Sequence, residues 1–230
     1  MTKKAVCLLS GGLDSCVTAC IAKERGYEVY AITFNYSQRH RKELDSAKQI
    51  AKSIGAKKHI LFDINLTKFG YSSLVDKNMT IETDHALEDI GKEIPSTYVP
   101  ARNTIFLSIA LAYAEVVDAD AIFIGATATD YSGYPDCRPE YIDAFQNLVD
   151  VATKKTVEGK KIEVKAPLLH FSKAEIIKKG LELDVPFEKT WSCYQGKEKA
   201  CGKCDSCLLR LKGFKEAKSK DPIKYETLAD

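Results

Sequence analysis

The sequence has no marked excess of either charge, no long apolar run, no internal repeat and no low-complexity stretch. Each absence closes off a class of function. Lysine and arginine number 34 against 32 aspartates and glutamates, a net charge of +2. That balance gives no support for a broad nucleic-acid or membrane surface, so a small-molecule substrate is expected, with no nucleic acid and no membrane among the partners. Nothing approaches the ~18 apolar residues of a membrane-spanning helix. The opening Met1-Thr2-Lys3-Lys4 runs into an apolar strand without a signal-peptide core, and a cytoplasmic location is expected. In that compartment the eight cysteines would not pair as disulfides. His40, His59, His85 and His170 are scattered, none at a metal-ligand spacing, and each is read as structural.

What is present is an alternation of strand and helix signals. Apolar runs at 5–9, 27–34, 57–62 and 121–124 read as strands, and 161–165 as one more. Helical patterns fill 14–23, 42–54, 103–117 and 139–155, with Asn103 a candidate N-cap. Ser172-Lys173-Ala174-Glu175 matches a capping box opening a helix that runs to about Leu183, before the stop at Pro186. Residues 63–100 carry no clear pattern. The lysine-rich stretch 212–224 reads as a solvated helical face. Such alternation predicts an α/β fold, a doubly wound parallel sheet with helices on both faces. The expected division is a domain over 1–185 and a small helical lobe over 186–230. Ligands of such sheets bind beyond the carboxyl ends of the strands, where the first loop, residues 35–40 and residues 125–138 would gather. Cys7, Cys16 and Cys20 fall on apolar faces and are read as buried small hydrophobes.

The most informative stretch is Ser10-Gly11-Gly12-Leu13-Asp14-Ser15. A strand, a tight Gly-Gly turn and a helix start together make an anion site. The glycines let the backbone approach a ligand, and the helix's free N–H groups and positive dipole end face the anion. Ser10 and Ser15 add hydroxyl donors, and Asp14 is suited either to capping the helix or to holding a Mg²⁺ that bridges phosphates. No lysine follows the glycines, which rules out a Walker A loop. The string resembles the PP-loop of the ATP pyrophosphatases, which implies cleavage of ATP between its α- and β-phosphates.

Cys193, Cys201, Cys204 and Cys207 form the second strong signal. Two overlapping C-x-x-C steps let three thiolates converge on one ion, with Cys193 as the fourth ligand. Four thiolates suit a structural Zn²⁺ with no open position. A [4Fe–4S] cluster uses similar spacing and stays open as the alternative.

With both signals in hand, the chain resembles the 7-cyano-7-deazaguanine synthase family over nearly its whole length. Three narrower strings carry the resemblance: Tyr98-Val99-Pro100-Ala101-Arg102-Asn103; Asp130 through Glu140, reading DYSGYPDCRPE; and Trp191-Ser192-Cys193-Tyr194 followed by Cys201-Gly202-Lys203-Cys204-Asp205-Ser206-Cys207. One departure is Ser37, where the family usually has glycine. The resemblance implies an ATP-dependent C–N ligase of queuosine precursor biosynthesis that acts on 7-carboxy-7-deazaguanine and ammonia, with ATP, Mg²⁺ and one structural Zn²⁺, and it implies a homodimer. The alternative is a tRNA-thiolating PP-loop enzyme with an iron–sulfur cluster. On the leading reading Ser10, Asp14, Ser15 and Arg102 are catalytic. The nucleotide site takes in Leu9, Ser10, Gly11, Gly12, Leu13, Asp14, Ser15, Cys16, Val17 and Thr18, with Phe34 and Tyr36 under the adenosine and Gly125 beside it. Arg102, Asn103, Asp130, Tyr131, Ser132, Gly133, Tyr134, Asp136 and Arg138 bind the deazapurine: tyrosines stack on the base, aspartates accept from its N–H groups, and arginines face its carboxylate or a phosphate. Cys137 is read as packing rather than as a nucleophile.

Overall fold

Apolar strands that bury both faces explain the frame of the molecule. The computed structural model describes residues 2–90, 92–128 and 134–226. In chain order its elements are β1 (Lys4–Leu8), α1 (Leu13–Glu24), β2 (Glu28–Asn35), α2 (Lys42–Ser53), β3 (Lys58–Asp63), α3 (Arg102–Val116), β4 (Ala121–Phe123), α4 (Pro139–Ala152), α5 (Lys154–Val157), β5 (Glu163–Lys165), α6 (Lys173–Glu182) and α7 (Asp205–Glu216). The five strands form one sheet of order β3-β2-β1-β4-β5, and every pairing is parallel. The chain moves outward from β1 in one direction and then returns to place β4 on its other side. That reversal opens a crevice beyond the carboxyl ends of β1 and β4.

Alternate residues of each strand feed two cores. Ala5 and Cys7 of β1, Ala31 of β2 and Phe123 of β4 meet α1, α2, α6 and α7 on one face. Val6 and Leu8, Ile32 and Phe34, and Ile122 meet α3 and α4 on the other. This is the doubly wound parallel α/β architecture expected from the sequence. Cys7 and Cys16 are buried, and Cys20 is partly so. Of residues 63–100, Asp63 closes β3, and the described remainder holds only a short 3₁₀ turn, Thr67–Phe69. They are nonetheless anchored, because Leu66, Val75 and Val99 enter the second core.

The structure corrects the pattern reading in four places. Helix 139–155 is two helices, because Thr153 takes extended backbone angles (φ −123°, ψ 151°) and its side chain caps α5 by accepting from the N–H of Thr156. Asn103 is not an N-cap: α3 starts at Arg102, behind Ala101 in the left-handed region (φ 52°). Asp14 does not cap α1, whose N-cap is Gly12 without a side-chain bond. The lysine-rich stretch is helical only as far as Glu216. The capping box at Ser172 and Glu175 is formed as expected. No helix among the described residues is long and apolar enough to cross a membrane.

Candidate functional site

The loop after β1 holds its own shape. The Ser10 and Ser15 hydroxyls lie 3.0 Å apart, and Ser15 Oγ donates to the Gly12 carbonyl at 3.0 Å. The Ser10 N–H donates to Ser15 Oγ, and the Gly12 N–H to Ser10 Oγ, each at 3.2 Å. Gly11 sits at φ +89°, and a Cβ there would collide with the Glu43 carbonyl oxygen in the first turn of α2. Gly125, at the end of β4, passes so close to α1 that a Cβ would lie 3.0 Å from Ser15 N. The turn is therefore wedged between two elements that only glycine allows so near.

Across the crevice stands a cation that the pattern reading missed. Lys173 Nζ donates to both Asp14 carboxylate oxygens, at 2.7 and 2.9 Å. It is the first residue of α6, where a positive charge opposes the helix dipole. A lysine just inside a recognisable capping box was the available signal. Gly213 of α7 presses on its stem, since a Cβ there would overlap the Lys173 side chain.

These groups border a cavity of about 310 Å³. Of the residues singled out from the sequence, Leu9, Ser10, Gly12, Leu13, Asp14, Ser15, Phe34, Tyr36, Arg102, Asn103, Gly125 and Tyr134 line it. Gly11, Cys16, Val17, Thr18, Asp136 and Arg138 do not. Cys16, Val17 and Thr18 are buried within α1, and Gly11 supports the loop from behind. Asp130, Tyr131, Ser132 and Gly133 lie outside the described residues. Asp136 organises the wall: it accepts from the Asn103 N–H at 3.0 Å and so caps α3, while Asn103 Nδ2 donates to the Asp136 carbonyl at 3.0 Å and contacts Cys137 Sγ at 3.3 Å. Burial, with Asp136 adding to it, pushes the Cys137 thiol up to about 11, which suits packing rather than nucleophilic attack.

Phe34 and Tyr36 serve the core and the cavity together. Phe34 stacks on Phe106 at 4.0 Å between centroids, and the Arg102 guanidinium lies 5.8 Å from the centre of the Tyr36 ring. Burial works against the Arg102 charge, but the Tyr36 and Tyr134 phenols and the Asp136 carboxylate outweigh it and hold its pKa above the ordinary value. Burial pushes the Tyr36 phenol up to about 12. Ser37 adopts φ 64°, in the region that glycine favours, which accounts for the glycine usual in the resembling family. Glu43 also lines the cavity. Its carboxyl is pushed up to about 7 by burial, with Arg102 opposing and Cys193 adding.

The four cysteines of the C-terminal segment converge. Their Sγ atoms lie within 4.8 Å of one another, all four residues are buried, and the group could hold a metal ion. Backbone N–H groups point at the sulfurs: Gln195 and Cys201 toward Cys193 at 3.4 and 3.3 Å, and Lys203 and Cys204 toward Cys201 at 3.4 Å. Such donors favour thiolates. Cys204 donates to Cys193, which drives the Cys193 thiol down and the Cys204 thiol up to about 12.

This segment also builds the cavity. The Trp191 N–H donates to the Gly11 carbonyl at 2.9 Å, two residues before the first cysteine. Trp191, Ser192, Tyr194, Ser206 and Arg210 complete the lining. Arg210 is 2% exposed. It grips Asp221 through two nitrogens at 2.7 and 2.9 Å and donates to Thr190 Oγ1 at 2.7 Å. None of these contacts has a periodic signature: from the sequence Trp191, Ser192, Tyr194 and Ser206 entered only as neighbours of the cysteines in the family strings, and Arg210 was missed.

Comparison with known proteins bears on this arrangement. A 7-cyano-7-deazaguanine synthase of Citrifermentans bemidjiense is 54% identical over 230 residues, covering 99% of this chain and 100% of its own. One of Desulfatibacillum aliphaticivorans is 56% identical over 226 residues, 97% of each chain. One of Thermoplasma acidophilum is 55% identical over 224 residues, 97% of this chain and 92% of its own. Among solved structures, an NMN synthetase from Francisella tularensis overlays 80% of this chain and 63% of its own at a TM-score of 0.46 and 19% identity, too loose a likeness to argue from. The model of the queuosine biosynthesis protein QueC matches residues 4–218, and with relatives alike along their whole length the chain belongs to that family.

Proposed function

We propose that the protein is an ATP-dependent C–N ligase that converts 7-carboxy-7-deazaguanine and ammonia to 7-cyano-7-deazaguanine, through an acyl-adenylate and then an amide. The observation that carries this reading is one cavity bordered at once by an anion-cradling loop, the cations Lys173 and Arg102, and aromatic walls, in a chain of this family. A carboxylate is a poor acyl donor because oxide leaves badly. Attack of its oxygen on the α-phosphorus of ATP, with pyrophosphate leaving, gives a mixed anhydride from which AMP departs readily. The protein's part is positioning and charge stabilisation. The amides and helix start of residues 10–15, with Lys173 opposite, hold the departing diphosphate, while Arg102 holds the substrate carboxylate. Ammonia displaces AMP to give the amide. A second ATP activates the amide oxygen, and loss of AMP leaves the nitrile.

Asp14 fits a Mg²⁺ that travels with the nucleotide. Lys173 occupies both its oxygens from one side, and a carboxylate has about four acceptor positions. Mg²⁺ there would neutralise phosphate charge. For the cysteine cluster the donor set favours Zn²⁺. Four thiolates at about 2.3 Å from one ion stand ~3.8 Å apart, and Cys201 and Cys207 are 3.9 Å apart. A four-iron cube would force the sulfurs much wider than the 4.8 Å limit of this group, which weighs against the iron–sulfur alternative. With four protein ligands the ion would brace the lobe and carry no chemistry.

Mass spectrometry after incubation with ATP, ammonium and 7-carboxy-7-deazaguanine tests the reading. The nitrile is expected, preceded by the amide. Recovery of the unchanged acid while ATP, metal and ammonium are all present would overturn it.

A further inference from the structure

The carboxylate of Glu43 takes no part in the proposed adenylation. It is the second residue of α2 and lines the cavity with Asp14, Arg102 and Tyr134. Among the described residues, the other carboxylates at the cavity have partners: Asp14 is held by Lys173, and Asp136, just behind the wall, caps α3. Among the described residues no hydrogen bond or ion pair engages the Glu43 carboxylate. The groups facing it are Arg102 from α3 and Cys193 from the C-terminal segment, and Tyr36 from the end of β2. On its own helix, Lys42 is turned away, 3.8 Å over the Trp191 ring. A half-buried carboxylate that lines a cavity without a partner is suited to a ligand that brings its own donors.

We propose that Glu43 binds ammonium and accepts the proton that nitrogen loses in each half of the reaction. This rests on the ligase reading above. Arg102 there holds the substrate carboxylate, and Glu43 lines the same cavity within electrostatic reach of Arg102, so a nitrogen bound to Glu43 enters the cavity that holds the reacting carbonyl. Ammonium arrives with four N–H groups and no lone pair. Transfer of one proton to Glu43 frees the lone pair. The C–N bond then forms at the adenylated carbonyl, AMP leaves with the C–O electron pair, and a second proton passes to water as the amide forms. In the second half the amide oxygen attacks the α-phosphorus of ATP, pyrophosphate leaves and one N–H proton passes to water, so that the adenylated amide carries a C=N–H group. Glu43 takes that proton, the N–H electrons become the third C–N bond, and AMP leaves with the other C–O pair. A carboxylate that lines the cavity with no hydrogen-bond partner among the described residues is free to make both transfers. Adenylation of the acid moves no nitrogen proton, so it does not need Glu43.

That difference supplies the test. Exchange of labelled pyrophosphate into ATP, driven by 7-carboxy-7-deazaguanine without ammonium, reads adenylation alone. Single-turnover amide formation across a range of ammonium concentrations reads the nitrogen step, and conversion of supplied amide to nitrile reads the second half. Glu43→Gln is expected to keep exchange within about threefold of wild type, and to slow amide and nitrile formation by about 10²-fold or more. Glu43→Asp, which keeps the carboxylate, is expected to recover part of both losses. Equal loss of exchange and amide formation in Glu43→Gln, with metal content and circular dichroism unchanged, would assign Glu43 to substrate binding and overturn the proposal, as would wild-type amide formation. If Glu43→Gln fails to fold, the same comparison is made on Glu43→Asp: slowed nitrogen steps with intact exchange support the proposal, and parallel loss overturns it. Absence of exchange in the wild type would contradict the adenylation reading instead.

Discussion

Replacing Lys173 by methionine removes one charge but keeps most of the stem against which Gly213 packs. Two consequences separate by size. Lys173 and Asp14 make two short bonds, 2.7 and 2.9 Å, with side chains 14% and 30% exposed. Asp14 keeps access to water and sits in the first turn of α1, where the helix dipole favours a carboxylate. Losing the pair therefore costs about 1 kcal/mol of stability, or roughly 2–4 °C in Tm for a chain of this size. The loss to catalysis is larger. A fixed donor aimed at charge that develops on the leaving diphosphate is worth about 10²–10³-fold in rate, some 3–4 kcal/mol. Urea denaturation measures the first quantity, and pyrophosphate release under kcat/KM conditions for ATP measures the second. The activity loss is expected to exceed the stability loss at least twofold in free energy. A variant with kcat/KM within threefold of wild type, or one whose activity loss is matched by lost stability, would show that Lys173 only braces the fold.

Gly11→Ala would set a side chain at φ +89° and push it into the Glu43 carbonyl oxygen. Left-handed strain alone costs about 1–2 kcal/mol, and the displaced loop should raise KM for ATP at least tenfold; unchanged KM would mean that this backbone does not cradle the nucleotide. Stripping the Zn²⁺ proposed for the cysteine cluster with a chelator would free the Cys193 end of the segment that binds Gly11 through Trp191, so ATP affinity and activity should fall together and return with Zn²⁺. Full activity in metal-free, chelator-treated protein would show the cluster to be dispensable. Glu43 has a folded pKa raised from 4.5 to about 7, so its contribution to stability is complete below about pH 4.5 and is lost as pH rises through 7. Glu43→Gln should accordingly be more stable than wild type at pH 8 by on the order of 3 kcal/mol and show no such gain at pH 4.5; equal denaturation midpoints at both pH values would remove the inferred burial.

The elements bearing apolar periodicity were legible in the sequence. β1 and β4 are buried on both faces and read as continuous apolar runs, and the Ser172 box announces α6. The anion loop and the cysteines were legible because each compresses its chemistry into a short string. What the sequence did not disclose arises from contacts across long separations. Lys173 meets Asp14 at a separation of 159 residues, and Trp191 reaches Gly11 through a backbone N–H that any residue but proline has. Asn103 looked like a cap because it precedes an apolar helix. Asp136, another 33 residues along, takes the first-turn N–H instead and moves the helix start to Arg102. Thr153 broke a helix whose apolar pattern ran on, because its hydroxyl bonds the backbone of Thr156.

In the proposed reaction the backbone of residues 10–15 grips the β- and γ-phosphates of ATP while AMP is handed to an acid and then to an amide. Phosphorus NMR of a complete reaction tests it most directly. Two AMP and two pyrophosphate should accumulate for each nitrile formed, and one of each where the reaction is halted at the amide. ADP and inorganic phosphate in their place would contradict the account.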